Sequence, residues 1–298
     1  MIKAIQPYIY EGLNFKDKAF LGWKEAKYPT TKGFYPRFLH WLLFRRDIFP
    51  TLWHGEARLV FVQPVSLYFD AGFSVVSHEL IPLIWDCWPC YYDKTEKWLR
   101  RHHIKTAIFT SKQEKQEIQK RIPHLKTIHC PEAIDTALYH EGKELKFRSI
   151  DVFEFGRANN VIGDFAGKNN LTWVNTAKIY KRLSNEELSK NLSNAKITIC
   201  FPKSITHPEI AQGVETLTQR YWEAMVSKSI LWGHCPKELS DFIGYNPVVE
   251  FKEEKQVFDI LSNIEQFQPL VDKNRETALR FGDWKERMKM IHDGICPH

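Results

Sequence analysis

Two glutamates, Glu215 and Glu223, are the side chains of this 298-residue protein whose spacing is best suited to chemistry. They lie within THPEIAQGVETLTQRYWEAMVSKSILWGHCPKE, which runs from Thr206 to Glu238. The apolar run Lys196–Phe201 ahead of it predicts a buried strand, a loop carrying Gly213 follows, and a helix is expected over Thr216–Ser227. A helix start presents unpaired N–H groups and a partial positive charge, so it favours a phosphate. Here the amides of Thr216, Leu217 and Thr218 would supply those donors, and Gly213 would let the backbone approach a ligand. Glu215 stands at this entrance and Glu223 about two turns further along, so the pair can address different parts of one elongated ligand. Carboxylates suit that task because each accepts several hydroxyl hydrogen bonds. Plainer readings also exist: Glu215 as an acid that complements the helix dipole, Glu223 as part of a solvated helix face.

Other reactive types are sparser. Cys87-Trp88-Pro89-Cys90 has redox-motif spacing, but Asp86 precedes it where a thioredoxin-like turn would carry Trp. The remaining cysteines, 130, 200, 235 and 296, are scattered, so no second ligand pair completes a zinc site. His207 and His234 flank the paired glutamates, and a lone His is more often structural than catalytic. There is no Asp-x-Asp triplet, so no metal is implied and none is assigned.

The elements that must position these residues alternate. Strands are expected at Ala57–Gln63, Leu80–Trp85, Lys105–Thr110, Thr127–Cys130, Ile150–Phe155, Leu171–Val174, Lys196–Phe201, Ile230–Trp232 and Pro247–Phe251. Helices are expected at Asp93–His102, at Lys112–Arg121 behind Ser111, and at Asn185–Leu192, where Ser184 and Glu187 form a capping-box pattern. The tail Lys255–Ile291 reads as helical. Apolar runs without strict alternation indicate strands covered on both faces, hence parallel sheets with helical crossovers. The fold class is therefore α/β. At 298 residues with 43% hydrophobic content, the chain is long enough for two domains, each with its own core, and the polar stretch 139–147 marks the break. Charged residues make up 26%, which excludes a membrane bundle and a disordered tail. A net charge of +6 suits anionic partners, while no zinc-finger, RNA-recognition or helix-turn-helix pattern favours nucleic acid. The first residues lack a signal-peptide pattern, so a cytoplasmic protein is expected.

The ordered set of motifs resembles the retaining GT-B glycosyltransferases, close to family four and its group-one relatives. Glu215, seven residues, then Glu223-Ala224-Met225 matches their paired-Glu motif, and Val226-Ser227-Lys228-Ser229-Ile230 their turn and return strand. Pro236 and Glu238 fit the next loop. Ile84-Trp85-Asp86-Cys87-Trp88-Pro89, Pro131-Glu132-Ala133-Ile134-Asp135, Phe155-Gly156-Arg157 and the closing segment Phe281–Arg287 resemble further family elements, in the family's order. The resemblance implies two Rossmann-like domains with an interdomain cleft: residues 1–145 on the acceptor side, 146–280 binding the nucleotide-sugar, and 281–298 as a helix returning towards the first domain. It implies that Glu215 binds donor-sugar hydroxyls, Glu223 the ribose, and Arg157 the diphosphate. Asp86 would orient the acceptor hydroxyl or the donor sugar, or simply cap a strand end; Glu215 and Asp86 are the catalytic candidates. Two departures stand out. Trp85 replaces the His that many relatives carry before Asp86, and no Lys lies between Ala158 and Ala166, leaving Lys203 as a substitute.

A transferase of this kind needs no cofactor; the nucleotide-sugar is its substrate and a glycan or lipid-linked molecule its acceptor, in surface-polysaccharide or lipopolysaccharide assembly. Arg37, Phe38, Trp41, Leu42, Phe44, Arg45 and Arg46 would either rest on an anionic membrane or form a core helix. Two alternatives remain open at this stage: a non-catalytic nucleotide- or glycan-binding homologue, and a redox protein using Cys87 and Cys90.

Overall fold

The computed structural model describes residues 2–5, 24–25, 58–64, 79–156, 161–176 and 183–296. Arg157 and the stretch 37–46 lie outside the described residues. The chain divides into two compact units. One comprises Met1–Pro131, Pro208–Val214 and Lys285–His298; the other comprises Glu132–His207 and Glu215–Trp284.

The first unit holds a six-stranded sheet of β1 (Ile2–Ile5), β2 (Lys24–Glu25), β3 (Arg58–Pro64), β4 (Glu79–Trp85), β5 (Thr106–Phe109) and β6 (Lys126–His129), in the order β2-β1-β3-β4-β5-β6. Every pairing is parallel. Leu80 to Trp85 are all buried, which is why β4 reads as an unbroken apolar run rather than an alternation. Its ladder to β5 begins only at Leu83, so Pro82, lacking an N–H, is spared a place there. Helices Tyr92–Arg101 and Lys112–Arg121 bring Trp98, Leu99 and Ile118 onto Leu80, Ile84 and Phe109 to form the core.

The second unit holds a five-stranded, all-parallel sheet of β7 (Ile150–Glu154), β8 (Trp173–Asn175), β9 (Ala195–Cys200), β10 (Ile230–Gly233) and β11 (Val248–Glu250). Its order is β11-β10-β9-β7-β8, so the winding direction reverses between β7 and β9. One face packs Phe153, Leu192, Tyr221, Trp222, Met225 and Leu231; the other packs Val152, Ile197, Ile199, Trp232 and Val271. Helix Asn185–Asn194 starts in the expected capping box: Ser184 Oγ accepts the Glu187 amide at 3.2 Å and Glu187 accepts the Ser184 amide at 2.8 Å.

Three differences from the sequence reading have physical causes. The tail is three helices, Gln256–Ser262, Gln268–Phe281 and Trp284–Ile295, with a 3₁₀ turn at Ile264–Phe267 and Gly282 between them. Ser111 precedes its helix without a side-chain cap bond. The helix carrying Glu223 runs from Gln219 to Val226 rather than from Thr216, because Thr218 is extended (φ −98°, ψ 158°). Its first amide, of Gln219, donates to Glu132 Oε2 at 3.1 Å. Trp222 Nε1 donates to the Glu132 carbonyl at 2.8 Å, anchoring the same helix from within the core. Among the described residues, no helix is long and apolar enough to cross a membrane.

Candidate functional site

In the second unit one candidate group, around Glu215, lies at the carboxyl end of the sheet. β9 and β10 end side by side, with the His234 amide donating to the Cys200 carbonyl at 3.0 Å. That contact, and the Tyr221 hydroxyl donating to the His234 carbonyl at 2.7 Å, fix the backbone of His234 at the sheet's rim. Its imidazole lies between two carboxylates: Nε2 is 3.1 Å from Glu215 Oε1 and Nδ1 is 3.3 Å from Glu250 Oε2. The first is a hydrogen bond and the second an ion-pair distance. Glu250 is itself held by the Cys235 amide at 3.1 Å and Asn246 Nδ2 at 3.2 Å. The three side chains stay between 29% and 45% exposed, open enough for a ligand to reach.

Glu215 therefore does not sit at the start of the helix that follows it. Its Oε2 accepts the Lys237 amide at 3.3 Å, the first residue of helix Lys237–Ile243. A carboxylate there complements the positive end of that later helix, and His234 supplies its second support.

Glu223 lies on the preceding helix, and its environment is different. It is buried, and its Oε1 accepts the Tyr139 hydroxyl at 2.7 Å. Burial pushes its carboxyl up from the ordinary range, while the Tyr139 bond and the charge of Arg220 pull the other way. Arg220 stands one turn earlier on the same face. Its guanidinium lies over the Phe155 ring, 5.4 Å from the centroid. Phe155 stacks in turn on Phe153 at 5.2 Å. Arg220 also reaches Gly156, just past β7: a Cβ added at Gly156 would overlap Arg220 Nη2. Burial raises the neighbouring Cys200 thiol to about 12, which leaves it a neutral side chain.

The other expected site residues scatter. Thr216 and Leu217 are buried, and Thr218 is the residue before the helix. Lys203 opens the short helix Lys203–Thr206 just beyond β9. Gly213 belongs to the first unit and is exposed, with open space where a Cβ would stand. Asp86 also belongs to the first unit, where it ends β4 in a left-handed conformation (φ 57°) and its carbonyl accepts the Trp88 amide at 2.9 Å. The structure does not join Glu215 and Glu223 to each other; each carboxylate has its own partners. Arg220, Glu250 and Tyr139 were missed from sequence. Only Arg220 left a signal there, its three-residue offset from Glu223.

The two cysteines of the redox-spaced pair, Cys87 and Cys90, differ in setting. Cys87 is buried and Cys90 exposed. Burial, reinforced by the charge of Glu114, pushes the Cys87 thiol well up, against formation of the attacking thiolate.

No family model matches the sequence, and no curated protein matches it. Solved structures do. A sucrose-phosphate synthase from Thermosynechococcus elongatus superimposes with a TM-score of 0.53 at 12% identity, over 79% of this chain and 73% of that one. Anabaena HepE, solved with UDP-glucose, superimposes with a TM-score of 0.54 at 9% identity, over 80% of this chain and 78% of that one. The chain shares the fold of these glycosyltransferases. In a doubly wound sheet of this kind, ligands bind outside the carboxyl ends of the strands, where the winding reverses. In this glycosyltransferase fold the reversal falls between β7 and β9, the ends marked by Gly156 and Cys200 beside Arg220.

Proposed function

We propose that the chain is a glycosyltransferase that moves a sugar from a nucleotide-sugar donor to a glycan or lipid-linked acceptor. The observation that carries this reading is the placement of Glu215 and Glu223 on separate supports in the second unit, one tied to the end of β10 and the other set in the core with one hydroxyl partner. Glu223 receives the donor's ribose hydroxyls, for which its Oε2, making no hydrogen bond among the described residues, remains available. Glu215, held by His234 and the Lys237 amide, receives the hydroxyls of the donor sugar. Departure of a nucleoside diphosphate builds negative charge, and fixed cations near it lower the barrier. The family resemblance assigns Arg157 to that charge; Lys203 would stand in for the Lys that the family carries after it, and the amides around Thr216–Thr218 would add donors.

In the same reading, residues 1–145 form the acceptor-side domain, 146–280 the donor domain and 281–298 the returning helix, with the ligands in the cleft between the domains. Asp86 orients the acceptor hydroxyl or the donor sugar. Neither metal nor cofactor is required, and the anomeric configuration is retained. The setting is cytoplasmic assembly of surface polysaccharide or lipopolysaccharide.

The test is incubation of the full chain with UDP-, GDP- and dTDP-sugars and candidate acceptors, following nucleoside diphosphate release and the glycosylated product. Glu223→Ala should weaken donor binding roughly 10- to 150-fold, the worth of charge-assisted bonds of about 1.5–3 kcal/mol. Nucleotide bound without any sugar transferred would instead favour a non-catalytic binding homologue.

A further inference from the structure

We propose that Arg220, in the crevice between β7 and β9, is a cation that meets the donor's diphosphate, with Gly156 leaving room for its guanidinium beside the end of β7. This inference rests on the nucleotide-sugar reading above.

Three observations place the phosphate at Arg220. The first concerns the helix start, where a phosphate would ordinarily be favoured. The leading amide of the helix, of Gln219, is already committed to the buried carboxyl group of Glu132, so it is not left for a phosphate. The second is the fold: β7 and β9 are where the strand order reverses, and their carboxyl ends open a crevice for a ligand. The third is Arg220 itself. Among the described residues its guanidinium makes no hydrogen bond and no ion pair, although it is held in place by the Phe155 ring. An Arg lying on an aromatic face keeps its five N–H donors in a fixed plane, a geometry that suits a phosphate's oxygens. The fork also lies beside Gly156, whose φ of +82° and missing Cβ let backbone and guanidinium share one small space.

Geometry also orders the ligand. Arg220 and Glu223 are one turn apart on one helix face, so a nucleoside diphosphate would set its ribose on Glu223 and its phosphates on Arg220. The sugar beyond the phosphates would then extend towards the Glu215–His234 pair at the end of β10. In this arrangement Arg220 touches the leaving group and is a catalytic residue, whereas His234 acts through Glu215 and is a positioning residue.

The test compares diphosphate with nucleoside, using the full chain. Calorimetry would measure UDP, GDP and dTDP, each against its own nucleoside, in the wild type, Arg220→Gln and Arg220→Lys, with circular dichroism to verify folding. The expected result is a loss of about tenfold or more in diphosphate affinity for Arg220→Gln, with nucleoside affinity unchanged and partial recovery in Arg220→Lys. An unchanged diphosphate-to-nucleoside ratio in a folded Arg220→Gln overturns the assignment of Arg220 while leaving the nucleotide-sugar reading intact. Should Arg220→Gln fail to fold, Arg220→Lys decides, because its single ammonium loses the fork and must still lower that ratio. A wild type that binds none of the three diphosphates overturns both.

Discussion

The Tyr139 hydroxyl donates a 2.7 Å hydrogen bond to Glu223 Oε1, joining residues 84 positions apart in the sequence. The bond supplies a buried carboxylate with one partner that does not depend on any ligand. Tyr139→Phe removes the donor and leaves the charge in place. It should lower unfolding stability by about 1.5–3 kcal/mol near neutral pH, read from urea denaturation. An unchanged midpoint and slope would show that the bond does not stabilise the fold.

The same carboxylate sets a pH dependence. Burial raises its folded pKa above the unfolded one, so folding favours the protonated form. The stability it contributes is full below the unfolded pKa and lost as pH rises through the raised folded value. Glu223→Gln stays neutral and keeps an acceptor for Tyr139. Its melting temperature should therefore gain on the wild type as pH rises from about 4, near the unfolded value, through the raised folded value. A difference that stays flat with pH would contradict a desolvated Glu223.

Gly233 ends β10 at φ +158°, and a Cβ there would overlap the Cys200 carbonyl oxygen of the adjacent strand. The obstacle is backbone in a sheet, so it cannot swing aside as a side chain would. Gly233→Ala should cost about 3 kcal/mol or more and displace His234, whose amide bonds that same carbonyl. Calorimetric melting measures the cost, and a variant as stable as the wild type would place the two strand ends further apart than they stand.

Thiol accessibility separates the cysteines. Cys90 is exposed, whereas Cys87, Cys130 and Cys200 are buried, with Cys130 and Cys200 raised to about 12 by burial. Mass spectrometry after brief alkylation of the native chain should find Cys90 modified and those three protected. A reversible Cys87–Cys90 disulfide, formed readily by mild oxidant, would revive the redox reading.

How much of this was legible in the sequence depends on how local each cause is. β9 and β10 were found within a residue or two at each end because apolar runs betray strands buried on both faces. The Ser184 capping box was found because both partners lie three residues apart. The start of the helix carrying Glu223 was misplaced because its first amide is bonded by Glu132, 87 residues away. Glu215 showed its carboxylate chemistry in sequence, but not that its partners would be His234 and the Lys237 amide, which only the parallel sheet brings to it. Arg220 was not singled out because Phe155 and Gly156, which stand beside it at the end of β7, lie far from it in the chain.

The most direct test of the account is thermal melting of the full chain with UDP, GDP and dTDP. A ligand bound only by the folded state stabilises it by about 2.7 kcal/mol at 100 times its Kd. The account predicts that at least one of the three raises the melting temperature in a saturable way, and that Glu223→Ala sharply reduces the rise. No rise with any of the three, up to about 10 mM, would contradict a nucleotide-sugar site in the second unit.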